Sequence, residues 1–318
     1  MDKNQAYNRN LERYRDRIVA HVKLALDDDI GSGDITTQAI IQNKSRAENA
    51  IIVSQDNGIL CGLFEARTIF EAGGLIFKSQ KTEGDAIKKG ETLATIHGDA
   101  SEILQRERTA LNFMQVLSGI ATSTYKLASQ YPEHIASLRK THPGLCYPEK
   151  RAVKVGKGFT HRLGLYDGFL IKNNHLTTIA KEMLINTKLT ETVEIAAIRE
   201  ALHRATVFRI NHQLQDLFIE IEVETLKQAL TVAQFFKENR VPDMILLDNM
   251  KPHEVKKCVQ TIKKVAGNEL LIESSGGITS KNAKTYIETG VNIVSMSEIT
   301  LFAKPLNISM KIVNYEKE

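Results

Sequence analysis

The sequence predicts an α/β protein: a small α+β unit, then a parallel sheet that is either open or closed into a barrel. Three observations carry this reading. Short apolar strands separated by Gly and Asp turns fill the first third of the chain. A long helical stretch follows at 101–129. Beyond it, strand-length runs at 135–138, 168–171, 217–223, 244–247, 269–272 and 291–296 alternate with helical patterns at 225–238, 253–265 and 280–289. Sustained βα alternation implies crossover connections, and those make parallel sheets.

Residues 12–29 place Ile18, Val22 and Leu26 at four-residue spacing, a helical face. Gly31-Ser32-Gly33 ends that helix, and Asp34-Ile35-Thr36-Thr37 restarts the chain. Strands are expected at 50–54, 59–61, 75–78 and 92–97, with turns at Asp56-Asn57-Gly58, Glu83-Gly84-Asp85 and Lys89-Gly90. A helix at 63–72 stops at Gly73-Gly74. In the long helix Leu104, Leu111, Met114 and Leu117 share a side, and 306–313 alternates like a final strand. The expected domains are 1–125 and 126–303, with 304–318 returning to the first.

The composition excludes several classes. A net charge of +4 over 318 residues is too small for a general nucleic-acid binder. Cys61, Cys146 and Cys258 lack metal-type spacing and read as reduced thiols. The first ten residues carry no apolar signal core, and no apolar run approaches a membrane span. The expected setting is the cytoplasm, with neither nucleic acid nor membrane as partner.

The chemistry gathers at strand ends. Arg139 and Lys140 follow 135–138, and Lys172 follows 168–171; His161 and Arg162 lie between them among glycines 156, 158 and 164. This cluster asks for a small polyanion, since arginine binds carboxylates through paired hydrogen bonds. His161 on its own reads as a structural histidine, and Lys140 and Lys172 as ordinary snorkelling lysines, although Lys172 directly follows four residues that look buried and is the harder to dismiss. Asp248-Asn249 ends 244–247. Ser274-Ser275-Gly276-Gly277 ends 269–272 and, with a following helix, reads as a phosphate cradle. Ser297 ends the last run. In 217–223, Leu217, Ile219, Ile221 and Val223 alternate with Glu220, Glu222 and then Glu224. By itself that describes an edge strand with a wet face; beside a basic cluster and Asp248, functional carboxylates are the better reading. Arg108, on the long helix, reads by itself as a solvated residue.

Several motifs, in order along nearly the whole chain, resemble the quinolinate phosphoribosyltransferase family. They are Gly33-Asp34-Ile35-Thr36-Thr37, Glu107-Arg108-Thr109-Ala110-Leu111-Asn112, Ser118-Gly119-Ile120-Ala121-Thr122, Leu138-Arg139-Lys140-Thr141-His142-Pro143-Gly144, Thr160-His161-Arg162-Leu163-Gly164, Leu170-Ile171-Lys172-Asn173-Asn174-His175, Leu246-Leu247-Asp248-Asn249 and Ser275-Gly276-Gly277-Ile278. The resemblance implies an N-terminal α+β domain followed by an incomplete α/β barrel. It implies conversion of quinolinate and phosphoribosyl pyrophosphate to nicotinate mononucleotide, CO2 and pyrophosphate in NAD biosynthesis, with Mg2+. It also implies a homodimer with shared sites, Arg108 reaching the neighbouring subunit, and leaves higher assembly open.

On this reading Arg108, Arg139, His161, Arg162 and Lys172 take the carboxylates. Ser275, Gly276, Gly277 and Ser297 take the 5′-phosphate, and Lys140 the pyrophosphate. Lys140, Lys172, Glu222 and Asp248 form the catalytic set, and Glu222 and Asp248 hold the metal through water. The chain departs from the family pattern at Leu138, Thr160, Asn173 and Ser297-Glu298. Residues 177–216 exceed the usual length by roughly twenty residues, read as an additional helical excursion. Other readings are a paralogue with a different acid substrate, like the relatives associated with molybdenum transport, an inactive sugar-phosphate binder, or a lipoyl-type carrier hairpin at 82–98.

Overall fold

The computed structural model describes residues 3–41, 47–186 and 192–313. By contact the chain divides into two units: 1–9 with 131–139 and 159–298, and 10–130 with 140–158 and 299–318. The sequence reading placed single boundaries at 125/126 and 303/304; the contacts instead send 1–9 to the later strands and 140–158 to the earlier ones.

In chain order, α1 (Lys3–Tyr7) is followed by a 3-10 turn at Glu12–Tyr14, α2 (Arg15–Ile30), α3 (Ile35–Ile40), β1 (Ala47–Ser54) and β2 (Gly58–Ile59). Next come α4 (Leu63–Glu71), β3 (Ile76–Ser79), β4 (Ala86–Ile87), β5 (Thr92–Asp99) and α5 (Ala100–Ala128). The alternating half runs β6 (Ile135–Ser137), α6 (Cys146–Val155), β7 (Phe169–Ile171), α7 (Asn173–Asn186), α8 (Val193–Asn211) and β8 (Ile219–Val223). It continues through α9 (Leu226–Asn239), β9 (Met244–Asp248), α10 (Pro252–Ala266), β10 (Leu271–Ser275), α11 (Ala283–Ile287), β11 (Ile293–Met296) and β12 (Ile308–Val313).

The unit containing α2–α6 is built on an antiparallel sheet ordered β12-β1-β5-β3. The final strand pairs with β1 from Asn49–Val313 to Ser54–Ile308. The buried side of α2 carries Ile18, Val22 and Leu26. Asp34 caps α3 by accepting the N–H groups of Thr36 and Thr37, a helix that hydrophobic spacing does not reveal. Asp99 caps α5 in the same way. Residues 140–158 belong here because α6 lies close against α5: a Cβ on Gly156 would stand 2.5 Å from the Ala121 carbonyl oxygen. Segment 82–98 is not a carrier hairpin, since β4 pairs with β2 while β5 pairs with β1 and β3.

The other unit holds six strands ordered β6-β11-β10-β9-β8-β7. Every neighbouring pair is parallel. β6 and β7 are the two edges, so this is an incomplete α/β barrel. Register sorts its inner face into levels. Leu170, Glu220, Met244 and Leu271 are level, then Glu222, Leu246, Glu273 and Ile293, then Asp248 with Ser275. Ala6 and Tyr7 join Phe159, Phe218, Met244 and Leu271 in a buried apolar cluster near the strand starts. Within 177–216 the described residues are largely helical, in α7 and α8; residues 187–191 lie outside the described residues.

β8 is not a wet edge. All five of its residues are buried, because it lies between β7 and β9 and its glutamates face the barrel interior.

In the antiparallel unit, Arg151 bridges Glu65, whose side chain is fully buried, and Glu83 at 2.9 Å. Removing Arg151 strands the Glu65 carboxylate. We expect Arg151→Ala to lower the unfolding free energy by about 3–5 kcal/mol, measured by urea titration of the whole chain.

Candidate active site

All six strands are parallel, so their C-terminal ends open on one side, where α/β barrels carry their chemistry. Asp248 and Ser275 close β9 and β10 at the same level. Lys172 directly follows β7, Glu224 follows β8, Ser297 follows β11, and Arg139 lies two residues past β6.

Arg139, Arg162 and Lys172 line a single cavity of about 680 Å³ running beside edge strand β7. Leu165, Tyr166 and Phe169 contribute an apolar wall. Arg162 donates to the Gly168 carbonyl at 3.1 Å. Burial, and then the like charge of Arg139, lower the Arg162 pKa from its ordinary value. Two guanidinium groups that repel each other in one cavity favour an anion between them.

A carboxylate cluster adjoins this basic wall. Lys172 Nζ lies 3.0 Å from Glu222 Oε2. Glu222, Glu224 and Asp248 each offer an oxygen, all within 4.8 Å of one another. Asn249 donates to Asp248 at 2.6 Å. The turns after β9 and β10 press together: Asn249 N–H donates to the Ser275 carbonyl at 3.0 Å. A Cβ on Gly276, at φ +89°, would stand 2.3 Å from Asn249 Oδ1, so only glycine fits there. Gly277 follows at φ +64° in open space. The helix expected after this loop does not start at its glycines. A turn with Thr279 N–H on Asn282 Oδ1 intervenes, and α11 has only five residues. The shape of this loop is therefore set by its backbone turns, and no helix dipole points at its glycines. Glu298 accepts from the backbone N–H and the hydroxyl of Ser280, tying the loop after β11 to the loop after β10.

His161 is placed differently from the other basic residues. It is 3% exposed, and its Nε2 lies 3.1 Å from Glu220 and 3.4 Å from Glu273. It faces the protein's own carboxylates inside the barrel. Ser295 also donates to Glu273. Burial opposes the imidazolium, but Glu273 and Glu220 outweigh it and raise His161 to about 9. Burial, then Glu273, push Glu220 up to about 7. Against a full imidazolium, Nδ1 accepts the Arg162 backbone N–H at 2.7 Å. The imidazolium with two carboxylates, and neutral histidine with one protonated glutamate, differ only in where one proton sits. The cluster holds that proton in either case.

Lys140 and Arg108 belong to the other unit. Both are exposed; the Lys140 carbonyl accepts from Thr300 there, and Arg108 projects from α5. The sequence marks the glutamates of 217–224 as a functional face but gives a specific role only to Glu222, and it gives none to Glu273. The alternation of glutamates along 217–224, read as a barrel interior, was the available signal.

Fold and site define an α/β-barrel enzyme that handles small polyanions. The family model for the quinolinate phosphoribosyl transferase C-terminal domain matches residues 120–311, and that for its N-terminal domain matches 34–118. The chain belongs to the quinolinate phosphoribosyl transferase family. It is 33% identical over 290 residues to a probable carboxylating nicotinate-nucleotide pyrophosphorylase of Methanothermobacter thermautotrophicus, covering 89% of this chain and 95% of that protein. It is 34% identical over 296 residues to its Bacillus subtilis counterpart, covering 90% of each. The structure of the nicotinate-nucleotide pyrophosphorylase from Francisella tularensis superposes with a TM-score of 0.77 at 28% identity, over 94% of this chain and 97% of that one.

The proton in the His161 cluster gives a signed pH dependence. A base raised from 6.5 to about 9 contributes stability fully below pH 6.5, lost as pH rises through 9. The stability difference between the wild type and a triple variant without titratable groups in the cluster, His161→Asn with Glu220→Gln and Glu273→Gln, should therefore narrow between pH 7 and pH 10 in urea titrations. A constant difference would show that the cluster holds no such proton.

Proposed function

We propose that the cavity beside β7 is the quinolinate site, where this chain carries out its family's reaction. That reaction takes quinolinate and phosphoribosyl pyrophosphate to nicotinate mononucleotide, CO2 and pyrophosphate in NAD biosynthesis. One observation carries the reading: Arg139, Arg162 and Lys172 share a cavity with an apolar wall, and Glu222 and Asp248 stand at its basic edge. Quinolinate is a flat ring with two carboxylates. The apolar wall suits the ring and the guanidinium groups suit the carboxylates.

Positioning and charge do the rest. The pyridine nitrogen attacks the ribose carbon as its bond to pyrophosphate breaks. In this proposal Glu222 and Asp248 bind ribose hydroxyls and stabilise the positive charge that develops on that carbon. Lys172, held by Glu222, faces the acid, and Lys140 is assigned to the departing pyrophosphate. The backbone at Ser275, Gly276 and Gly277, with Ser297, is assigned to the 5′-phosphate. The ring-nitrogen cation then accepts the electron pair as the adjacent carboxylate leaves as CO2, and a proton replaces it.

The donor set of Glu222, Glu224 and Asp248 is all oxygen and fits Mg2+, held directly or through water. When bound, that ion would neutralise charge on the pyrophosphate. His161 supports the site from within the barrel in this proposal, by holding the backbone N–H of Arg162.

A homodimer is part of the proposal. Leu165 is 77% exposed and Tyr166 and Phe208 are also exposed beside an uncovered edge strand, a rim suited to a second copy. Arg108 would reach the neighbour's acid. A cytoplasmic setting accords with Cys61, Cys146 and Cys258, which form no disulfide among the described residues. Among the described residues no helix is long and apolar enough to cross a membrane.

Purified protein with Mg2+, phosphoribosyl pyrophosphate and carboxyl-labelled quinolinate should release labelled CO2 and pyrophosphate in equal amounts. A folded protein that releases neither would refute the substrate assignment. Arg139→Ala should lower kcat/KM for quinolinate by about 100-fold, roughly 2.7 kcal/mol of transition-state stabilisation. Arg108→Ala should be nearly inactive, yet regain activity in mixed dimers with Lys172→Ala. No recovery in verified mixed dimers would mean that each site is built from one chain.

A further inference from the structure

The loop at 160–168 carries Arg162, and its shape is held from an unexpected direction. His161 opens the loop at φ 52°, a left-handed conformation that a side chain bearing a Cβ adopts only when surroundings impose it. Those surroundings include the segment 7–9. The Tyr7 carbonyl accepts both the His161 N–H, at 2.8 Å, and the Thr160 hydroxyl, at 3.0 Å. The same hydroxyl oxygen accepts the Arg9 N–H at 3.0 Å. Both of these bonds join Thr160 to this segment.

Arg9 closes the other end of the loop. Its Nε lies 3.0 Å from Asp167 Oδ2, and Nη2 donates to the Asp167 carbonyl at 2.8 Å. Asp167 Oδ2 also accepts the Leu163 N–H at 2.9 Å, so one buried carboxylate spans the loop with Arg9 as its counter-charge. The Arg9 guanidinium lies 5.1 Å over the Phe218 ring, and His161 packs edge-on between Tyr7 and Phe218, at 5.4 and 5.5 Å between ring centres. Arg162, inside this frame, is fixed at Gly168 and lines the cavity with Arg139.

We propose that residues 7–9 form a positioning element for acid binding: Tyr7 and Arg9 hold the 160–168 loop in the shape that sets Arg162 opposite Arg139. The proposal rests on the quinolinate reading of the cavity and extends it to residues that touch no substrate. Its signature is selective. The residues assigned to the phosphoribosyl donor, Asp248 and 275–277, lie at the ends of β9 and β10 and outside this frame. Loosening the loop should weaken the acid and spare the donor.

The test compares Arg9→Ala, Arg9→Lys and Thr160→Val with the wild type at a temperature where each is folded. Arg9→Ala should raise KM for quinolinate about tenfold while KM for phosphoribosyl pyrophosphate stays within about twofold. Arg9→Lys, which keeps a charge for Asp167, should recover part of the loss. Thr160→Val should shift the same constant in the same direction. Both KM values moving together, or neither moving, would overturn the proposal. Should Arg9→Ala fail to fold, Thr160→Val decides on the same criterion. Should the wild type turn over no quinolinate, the functional reading fails separately, and calorimetric titration with benzene-1,2-dicarboxylate decides the positioning role. Affinity about tenfold weaker in the variants supports it; equal affinity, or no binding to the wild type, overturns it.

Discussion

Glu220 and Glu273 are fully buried on the inner face of a parallel sheet, and His161 between them is the group that makes this tolerable. Two carboxylates cannot both stay charged in a low-dielectric interior without a counter-charge or a shared proton. His161 supplies it, and must enter the barrel to do so. The chain around it follows: Thr160 and His161 are drawn onto the Tyr7 backbone, and Arg162, next in sequence, emerges at the cavity wall. A buried ionic cluster is weak evidence for stability. What this one does is fix the place where a flexible, glycine-flanked loop begins.

The charges divide by depth. Deep in the barrel the protein's own ions satisfy one another. At the strand ends they do so only partly: Lys172 pairs with Glu222, but Arg139 and Arg162 press on each other, and three carboxylates converge on one point. On the proposed reading these two groups of charges suit a dianionic acid on one side and a hydroxyl-rich donor on the other. The low residue exposure that makes His161 structural is what separates it from Arg139, although the sequence places both in one basic cluster.

Much of the fold was legible because it rests on periodicity. The βα alternation after residue 130, the long helix and the returning strand at 308–313 all follow from patterns of two and 3.6 residues. The strand-end residues were legible for the same reason, since parallel strands deliver their last residues to one side. What escaped was not periodic. The helix after Asp34 depends on a cap, the membership of 140–158 on close contact at Gly156, and the place of 1–9 on backbone hydrogen bonds and a buried cluster. Alternating glutamates in β8 were visible, but alternation says only that two faces differ. It does not say whether the polar face meets water or a barrel interior that supplies His161.

The loop after β10 shows how a local departure narrows a chemical assignment. Gly276 is dictated by geometry, because Asn249 occupies the space that a Cβ there would need. Beyond Gly277, the Ser280 N–H and hydroxyl already serve Glu298 in the neighbouring loop. An anion approaching this turn therefore meets a carboxylate at its far side, and like charge pushes it back toward Gly276 and Gly277. On the proposed reading the 5′-phosphate is confined to the glycine end of the loop, close to Asp248, which places the ribose carbon between the carboxylate cluster and the arginine-lined cavity.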